Sequence, residues 1–284
     1  MQTAGAIVQG LTIERVRHPE VTALEFSHLQ VDGATSADGS PPRQFHIPIE
    51  KVLQTFLARD SAEPAALASN GRLTGVEAIF LTGGRAKNPG RHEWTTRLSR
   101  PVVFAREAVF GGALGGLEFL RSRGLSGWVA DLGNSQLKLA GSGRRWIFPR
   151  EWKRLPPVQQ MSPAEELQQG RRLREFIALK LQMAMTECGE RPRSLMFALP
   201  TSVSGDGTPE GRGNYVGMRG ARTLLPEAMA MAGLADLPLL VINDAELAAL
   251  SARLDVRLAG YRKILVLTLG FGIGVALVSR SNFE

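Results

Sequence analysis

The stretch Gly127–Ala140, GWVADLGNSQLKLA, decides how this chain is read. Trp128, Val129 and Ala130 make a β-rich entry to Asp131. Gly133, Asn134 and Ser135 form a tight polar turn, and Leu137 and Leu139 then alternate with Gln136 and Lys138, the period-two pattern of a second strand. A hairpin with a carboxylate at its lip and a glycine-flanked turn can offer backbone N–H groups to a phosphate while the carboxylate holds a hydrated cation. Read structurally, the same residues are a hairpin whose aspartate serves an Asx-turn. Two distant stretches supply what the hairpin lacks.

The first is LLVINDAELAALSARL, residues 239–254, where an apolar strand runs into a helix at Asn243-Asp244. In an open α/β sheet the end of a parallel strand faces the ligand crevice. Asp244 is there either the N-cap of its helix or a carboxylate able to take a proton from an attacking hydroxyl, an effect of about 10²–10⁴-fold in rate. Asn243 is placed to hold a neighbouring substrate hydroxyl. The second is KILVLTLGFGIGVALV, residues 263–278, with Gly270, Gly272 and Gly274 between two apolar runs. A dinucleotide-binding loop needs a helix after its glycines and an acidic residue some twenty positions later. Here a β-branched run follows, so the segment reads as strand, glycine turn and strand, either purely structural or open to phosphates through its backbone.

Composition bounds the rest. The 284 residues are 44% hydrophobic and 21% charged, enough for two modest domains or one large one. The net charge of +7 comes from scattered arginines, with no basic run interleaved with aromatics, so a nucleic-acid partner is not expected. A single cysteine, Cys188, rules out an internal disulfide, and His18, His28, His46 and His92 lack metal-ligand spacing. No apolar run reaches membrane-spanning length and the N-terminus does not read as a signal peptide, so a cytoplasmic protein without a membrane partner is expected. No P-loop, GxSxG elbow or Cys/His pair occurs.

Along the chain, strands are expected over 5–15, 21–31, 44–49, 76–84, 101–105, 127–131, 135–140, 144–149, 194–199, 239–242, 263–269 and 275–279. Helices are expected over 50–59, 64–69, 106–124, 162–187, 223–232 and 245–254. Ser162, Pro163 and Glu165 spell a capping box at the longest helix. The glycines of the 106–124 helix lower its propensity and point to close approach of another backbone.

Together these segments resemble the actin/hexokinase/heat-shock ATPase superfamily and, within it, the bacterial ROK-type sugar kinases. VADLGNSQLKLA is similar to the first phosphate motif, VLTLGFGIGVALV to the second, IFLTGGRAKNP to the adenosine motif and VINDAELAALSA to the segment carrying the catalytic aspartate. The run from FALPTSVSGDG through GRGNYVGMRG is similar to the sugar-side loops. The order departs from the family, since the adenosine-like stretch comes first. Phe271 stands where the kinases carry a threonine, and the family's zinc-binding cysteines and the sugar-ligand stretch after the second phosphate motif are absent.

The resemblance implies a two-lobed ribonuclease H-like α/β fold with mixed sheets and helices on both faces, circularly permuted. Residues 1–125 plus 263–284 would form the nucleotide lobe and 126–262 the first-phosphate and substrate lobe, with Val275–Ser279 beside the first strand, Ala6–Glu14. It implies ATP and Mg²⁺ as cofactors and a sugar-like substrate, with a homodimer as a candidate assembly. Asp131 would hold Mg²⁺ through water. Gly133, Asn134, Ser135 and Gln136, with Gly270, Gly272 and Gly274, would cradle phosphates, and Gly83 and Gly84 would line the nucleoside pocket. Lys138 is either a phosphate contact or a solvated strand lysine. Asn243 and Asn214 would face substrate, and Asp244 would act as base. The alternative on the same fold is an inactive or repurposed nucleotide-binding protein acting in regulation or assembly.

Overall fold

The computed structural model describes residues 11–23, 75–87, 100–133, 135–150, 161–210, 217–218, 223–270 and 273–280. Within them the chain is α/β, with two mixed sheets. The first contains β1 (Ile13–Arg15), β5 (Trp128–Leu132), β6 (Gln136–Gly141), β7 (Arg144–Pro149), β8 (Leu195–Leu199) and β9 (Leu239–Asn243) in the order β1-β9-β8-β5-β6-β7. The second contains β2 (Val21–Ala23), β3 (Ala78–Thr82), β4 (Val102–Phe104), β10 (Lys263–Leu269) and β11 (Ile273–Ser279) in the order β2-β11-β10-β3-β4. Four α-helices are described: α1 (Gly111–Ser122), α2 (Pro163–Cys188), α3 (Leu224–Met231) and α4 (Asp244–Leu254).

The two sheets repeat one plan. In the first, β5, β6 and β7 form an antiparallel meander and β8 and β9 follow parallel to β5. In the second, β10, β11 and β2 form the meander and β3 and β4 run parallel to β10. There an early and a late strand meet: Val278 pairs with Val21. This corrects the expected neighbour of Val275–Ser279. That strand lies beside β2, and β1 joins the other sheet, alongside β9.

Local chemistry explains the elements. Ser142 and Gly143 both have positive φ (48° and 72°), the conformation a two-residue hairpin turn requires, and they set the β6–β7 register. The start of α2 carries the expected capping box, Ser162 accepting from the Glu165 N–H while the Glu165 carboxylate accepts from the Ser162 N–H. Helix α1 begins at Gly111, later than expected, because residues 106–110 are used in turns. The strands expected at 44–49, the helices at 50–59 and 64–69, and most of the first two expected strands lie outside the described residues.

Burial sorts the elements into layers. One core lies between the first sheet and α2 with α3, around Trp128, Phe197, Leu173 and Ile177. A second lies between the two sheets, where α1 and α4 pack against Val129, Met196 and Ile242 on one side and Phe80, Val266 and Val278 on the other. Its tightest contact is between the two helices: a Cβ at Gly115 would come within 2.5 Å of the Ser251 backbone nitrogen. That is the close backbone approach the glycines predict. A third cluster covers the far face of the second sheet. Among the described residues no helix is long and apolar enough to cross a membrane.

Candidate functional site

Strand residues facing the middle layer alternate with those facing outward, and the inward rows change character at one end. Ile264 and Val266 lead to Thr268, Phe80 to Thr82, Val129 to Asp131, and Val278 and Ala276 to Gly274. Leu240 and Ile242 of β9 lead to the start of α4, where Asp244 is the first helical residue. Five rows that are apolar within the layer thus end in polar or small residues at its mouth.

Asp131 sits in β5 directly opposite Lys138 of β6, and the Lys138 Nζ donates to its carboxylate at 2.7 Å. The two side chains are only 15% and 13% exposed. Asp244 belongs to the same cluster. Burial, and then the nearby negative charge of Asp131, push its carboxyl up to about 7, against smaller opposing effects from the Ala245 N–H and the Lys138 charge. It therefore exchanges its proton near neutrality, where a general base works best. Gly274 closes the group. A Cβ there would overlap the Thr268 hydroxyl and lie 3.2 Å from the Ala245 Cβ and 3.6 Å from an Asp244 carboxylate oxygen.

The cap reading of Asp244 does not hold. Asn243 is the N-cap, its side-chain oxygen accepting from the Ala245 N–H at 2.9 Å while Glu246 reaches back to the Asn243 N–H at 3.2 Å. The Asn243 side chain, expected to face substrate, has partners within the protein. Its amide nitrogen donates to the carbonyls of Thr201 (3.0 Å) and Leu199 (3.5 Å), so both ends of the side chain are engaged within the protein. Asn-x-x-Glu before an apolar run is a capping signature and was visible in the sequence. The brace behind it was not. Arg15, from β1, donates to Glu246 at 2.5 Å and to the Val16 carbonyl at 2.6 Å, tying α4 to the far edge of the first sheet.

Gly83 and Gly84 lie at a second part of the same mouth. Gly83 has φ +96°, and a Cβ on it would sit 2.7 Å from the Leu269 carbonyl oxygen, so the double glycine passes against the end of β10 just before Gly270. Gly84 opens on free space and begins a short 3-10 helix, Gly84–Lys87. Gly133 closes the β5–β6 turn by donating to the Gln136 carbonyl at 2.9 Å, and the Ser135 carbonyl accepts from the Arg150 N–H at 2.8 Å. The Gly274 N–H is not open to a ligand as expected, since it donates to Thr268 Oγ1 at 3.0 Å. Asn134, Asn214, Phe271 and Gly272 lie outside the described residues.

No group of three or more His, Cys, Asp or Glu side chains able to hold a metal occurs among the described residues. Mg²⁺ bound together with a phosphate usually takes one or two protein carboxylates, and Asp131 and Asp244 are the carboxylates brought together at this mouth. Compared with known protein families, curated proteins and solved structures, the chain matches none.

Proposed function

We propose that this protein binds ATP in a crevice between two actin-like lobes and transfers its terminal phosphoryl group to a hydroxyl of a sugar-like molecule. The observation that carries this is the meeting of Asp131, Lys138, Asp244 and Gly274, from three stretches distant in the chain, at one end of the layer between the sheets. The repeated plan of a meander followed by two parallel strands supports the ribonuclease H-like reading. The pairing of β11 with β2 supports circular permutation of the second lobe.

In this reading Gly83 and Gly84 flank the nucleoside and the Gly133–Gln136 turn faces the phosphates. Asp244 orients the acceptor hydroxyl and takes its proton, holding it readily because its affinity for protons is matched to neutral pH. Asp131 would hold Mg²⁺ through water, and the ion when bound would neutralise charge on the phosphates. Lys138 stays on Asp131 and fixes its carboxylate in place. Phosphoryl transfer depends mainly on positioning and charge, so a few well-placed groups suffice.

The test uses the full chain. Wild type should turn over MgATP with at least one member of a panel of sugars and polyols. Asp244→Asn should lower that turnover by about 10²–10⁴-fold while nucleotide binding by calorimetry survives. Absence of turnover with every acceptor, alongside nucleotide-dependent self-association or partner binding, would favour the second reading, a nucleotide-binding protein of regulation or assembly. The engagement of Asn243 and of the Gly274 N–H within the protein favours that second reading. Absence of nucleotide binding would sink both.

A further inference from the structure

Helix α2 packs its inward face, Leu173, Ile177, Leu181 and Ala184, on the first sheet, on the side of that sheet opposite α1 and α4. Its outward face carries Leu167, Arg171, Glu175 and Leu179 at a spacing of four, which makes them one row along the helix surface. The two leucines are large apolar groups left 58% and 52% exposed. Met183 continues the apolar end of the row, near Met231 of α3, whose carbonyl accepts from the Gln182 amide at 2.9 Å. Arg171 and Glu175 stand exposed between the leucines, and among the described residues neither has a hydrogen bond or an ion pair. Their order disfavours pairing along the helix, where an acid is better placed four residues before a base than four after it. Arg174, by contrast, is engaged by Glu227 of α3.

We propose that this row is an interface between two copies of this chain, whose α2 helices cross antiparallel about a two-fold axis midway between Arg171 and Glu175. Such an axis sets Leu167 of one copy against Leu179 of the other, and Arg171 against Glu175, twice over. The row is therefore complementary to itself read backwards, apolar to apolar at its ends and positive to negative at its centre. The ends remove leucine surface from water, and the centre forms two ion pairs that neither copy makes alone. Rows at a spacing of four interlock when helices cross at about −50°, the commonest helix packing. A parallel pairing would set Arg171 against Arg171, so charge selects the antiparallel arrangement. A single helix crossing buries less than a standard interface of about 800 Å² per partner, so the association is reversible and depends on concentration. Because α2 lies on the outer face of the first sheet, pairing leaves the mouth at Asp131 and Asp244 uncovered, and the inference does not depend on the nucleotide reading.

The test is sedimentation velocity on the full-length protein over about 1–200 µM, where wild type should pass from monomer to dimer. Arg171→Glu sets carboxylates against carboxylates across the axis, and Glu175→Arg sets guanidinium groups against each other. Each single swap should weaken dimerisation at least about tenfold. The two single variants mixed in equal amounts should dimerise within about threefold of wild type, because an acidic row then meets a basic one, and so should the double swap Arg171→Glu/Glu175→Arg. Leu179→Asp should stay monomeric. All three positions are exposed, so the variants should keep the circular dichroism of wild type. A wild type that stays monomeric over the whole range would overturn the proposal, as would single swaps or Leu179→Asp that dimerise like wild type. A dimer that both single swaps abolish but their mixture does not restore would refute the antiparallel pairing.

Discussion

The two sheets share a plan but differ in how the chain builds them. In the first, β5, β6 and β7 are consecutive, joined by the Gly133–Gln136 and Ser142-Gly143 turns, so register is settled by neighbours in sequence. In the second, the meander is completed by a strand from a distant part of the chain, β2, whose described residues Val21–Ala23 pair with Ala276–Val278 of β11. The N-terminal segment feeds both sheets, β1 to the first and β2 to the second, and it is pinned to α4 in each case by an ion pair: Arg15–Glu246 and Glu20–Arg253. The difference between those pairs shows where the assembly is tightest. Arg15 and Glu246 are 9% and 11% exposed, whereas Arg253 and Glu20 are 31% and 20% exposed.

Breaking the buried pair should have the largest effect. Arg15→Met leaves the Glu246 carboxylate buried without its partner and should cost about 3–5 kcal/mol in urea unfolding, with Arg15→Met/Glu246→Leu recovering most of it. A loss under 1 kcal/mol would mean that β1 is not a brace for the start of α4.

Asp244 carries an effect of intermediate size and of opposite sign. Its unfolded value is near 3.8 and its folded value about 7, so the native state holds a proton that the unfolded state releases. Its contribution to stability is therefore greatest below pH 3.8 and is lost as pH rises towards 7. Asp244→Asn should remove that decline and raise stability at pH 8 by about 2–4 kcal/mol, read from urea midpoints across a pH series. Asp131→Asn should lower the Asp244 titration midpoint followed by carboxyl NMR, because it removes the second-largest cause of the shift. A midpoint that stays put would separate the two carboxylates and dissolve the site.

The smallest effect is expected at the second sheet. Arg253→Ala breaks a half-exposed pair and should cost under about 1 kcal/mol. A cost rivalling that of Arg15→Met would reverse the ranking of the two attachments.

Much of this was legible in the chain because it is local. The apolar runs at 78–82, 195–199 and 263–269 are buried strands, the capping box at Ser162 starts α2, and the α1 glycines do meet another backbone. Errors cluster where the deciding partner is far away. The sequence of Val275–Ser279 does not reveal which N-terminal strand it joins, since residues 5–15 and 21–31 both carry a strand pattern and only the structure pairs it with Val21–Ala23. The partners of the Asn243 amide are invisible in sequence because its acceptors, the carbonyls of Leu199 at the end of β8 and Thr201 just beyond it, belong to another segment.

Residue order alone determined which segments become strands and helices, where α2 and α4 start, and which polar residues stand at strand ends, for these follow from periodicity, caps and turns within a few residues. Tertiary structure alone decided that Asp131, Asp244 and Gly274 share one mouth, that Asn243 and not Asp244 caps α4, and that burial raises the proton affinity of Asp244. The physical reason is that burial and charge proximity are properties of packed layers: a carboxylate's proton affinity is set by what surrounds it, and its surroundings here come from three strands and a helix distant in the chain.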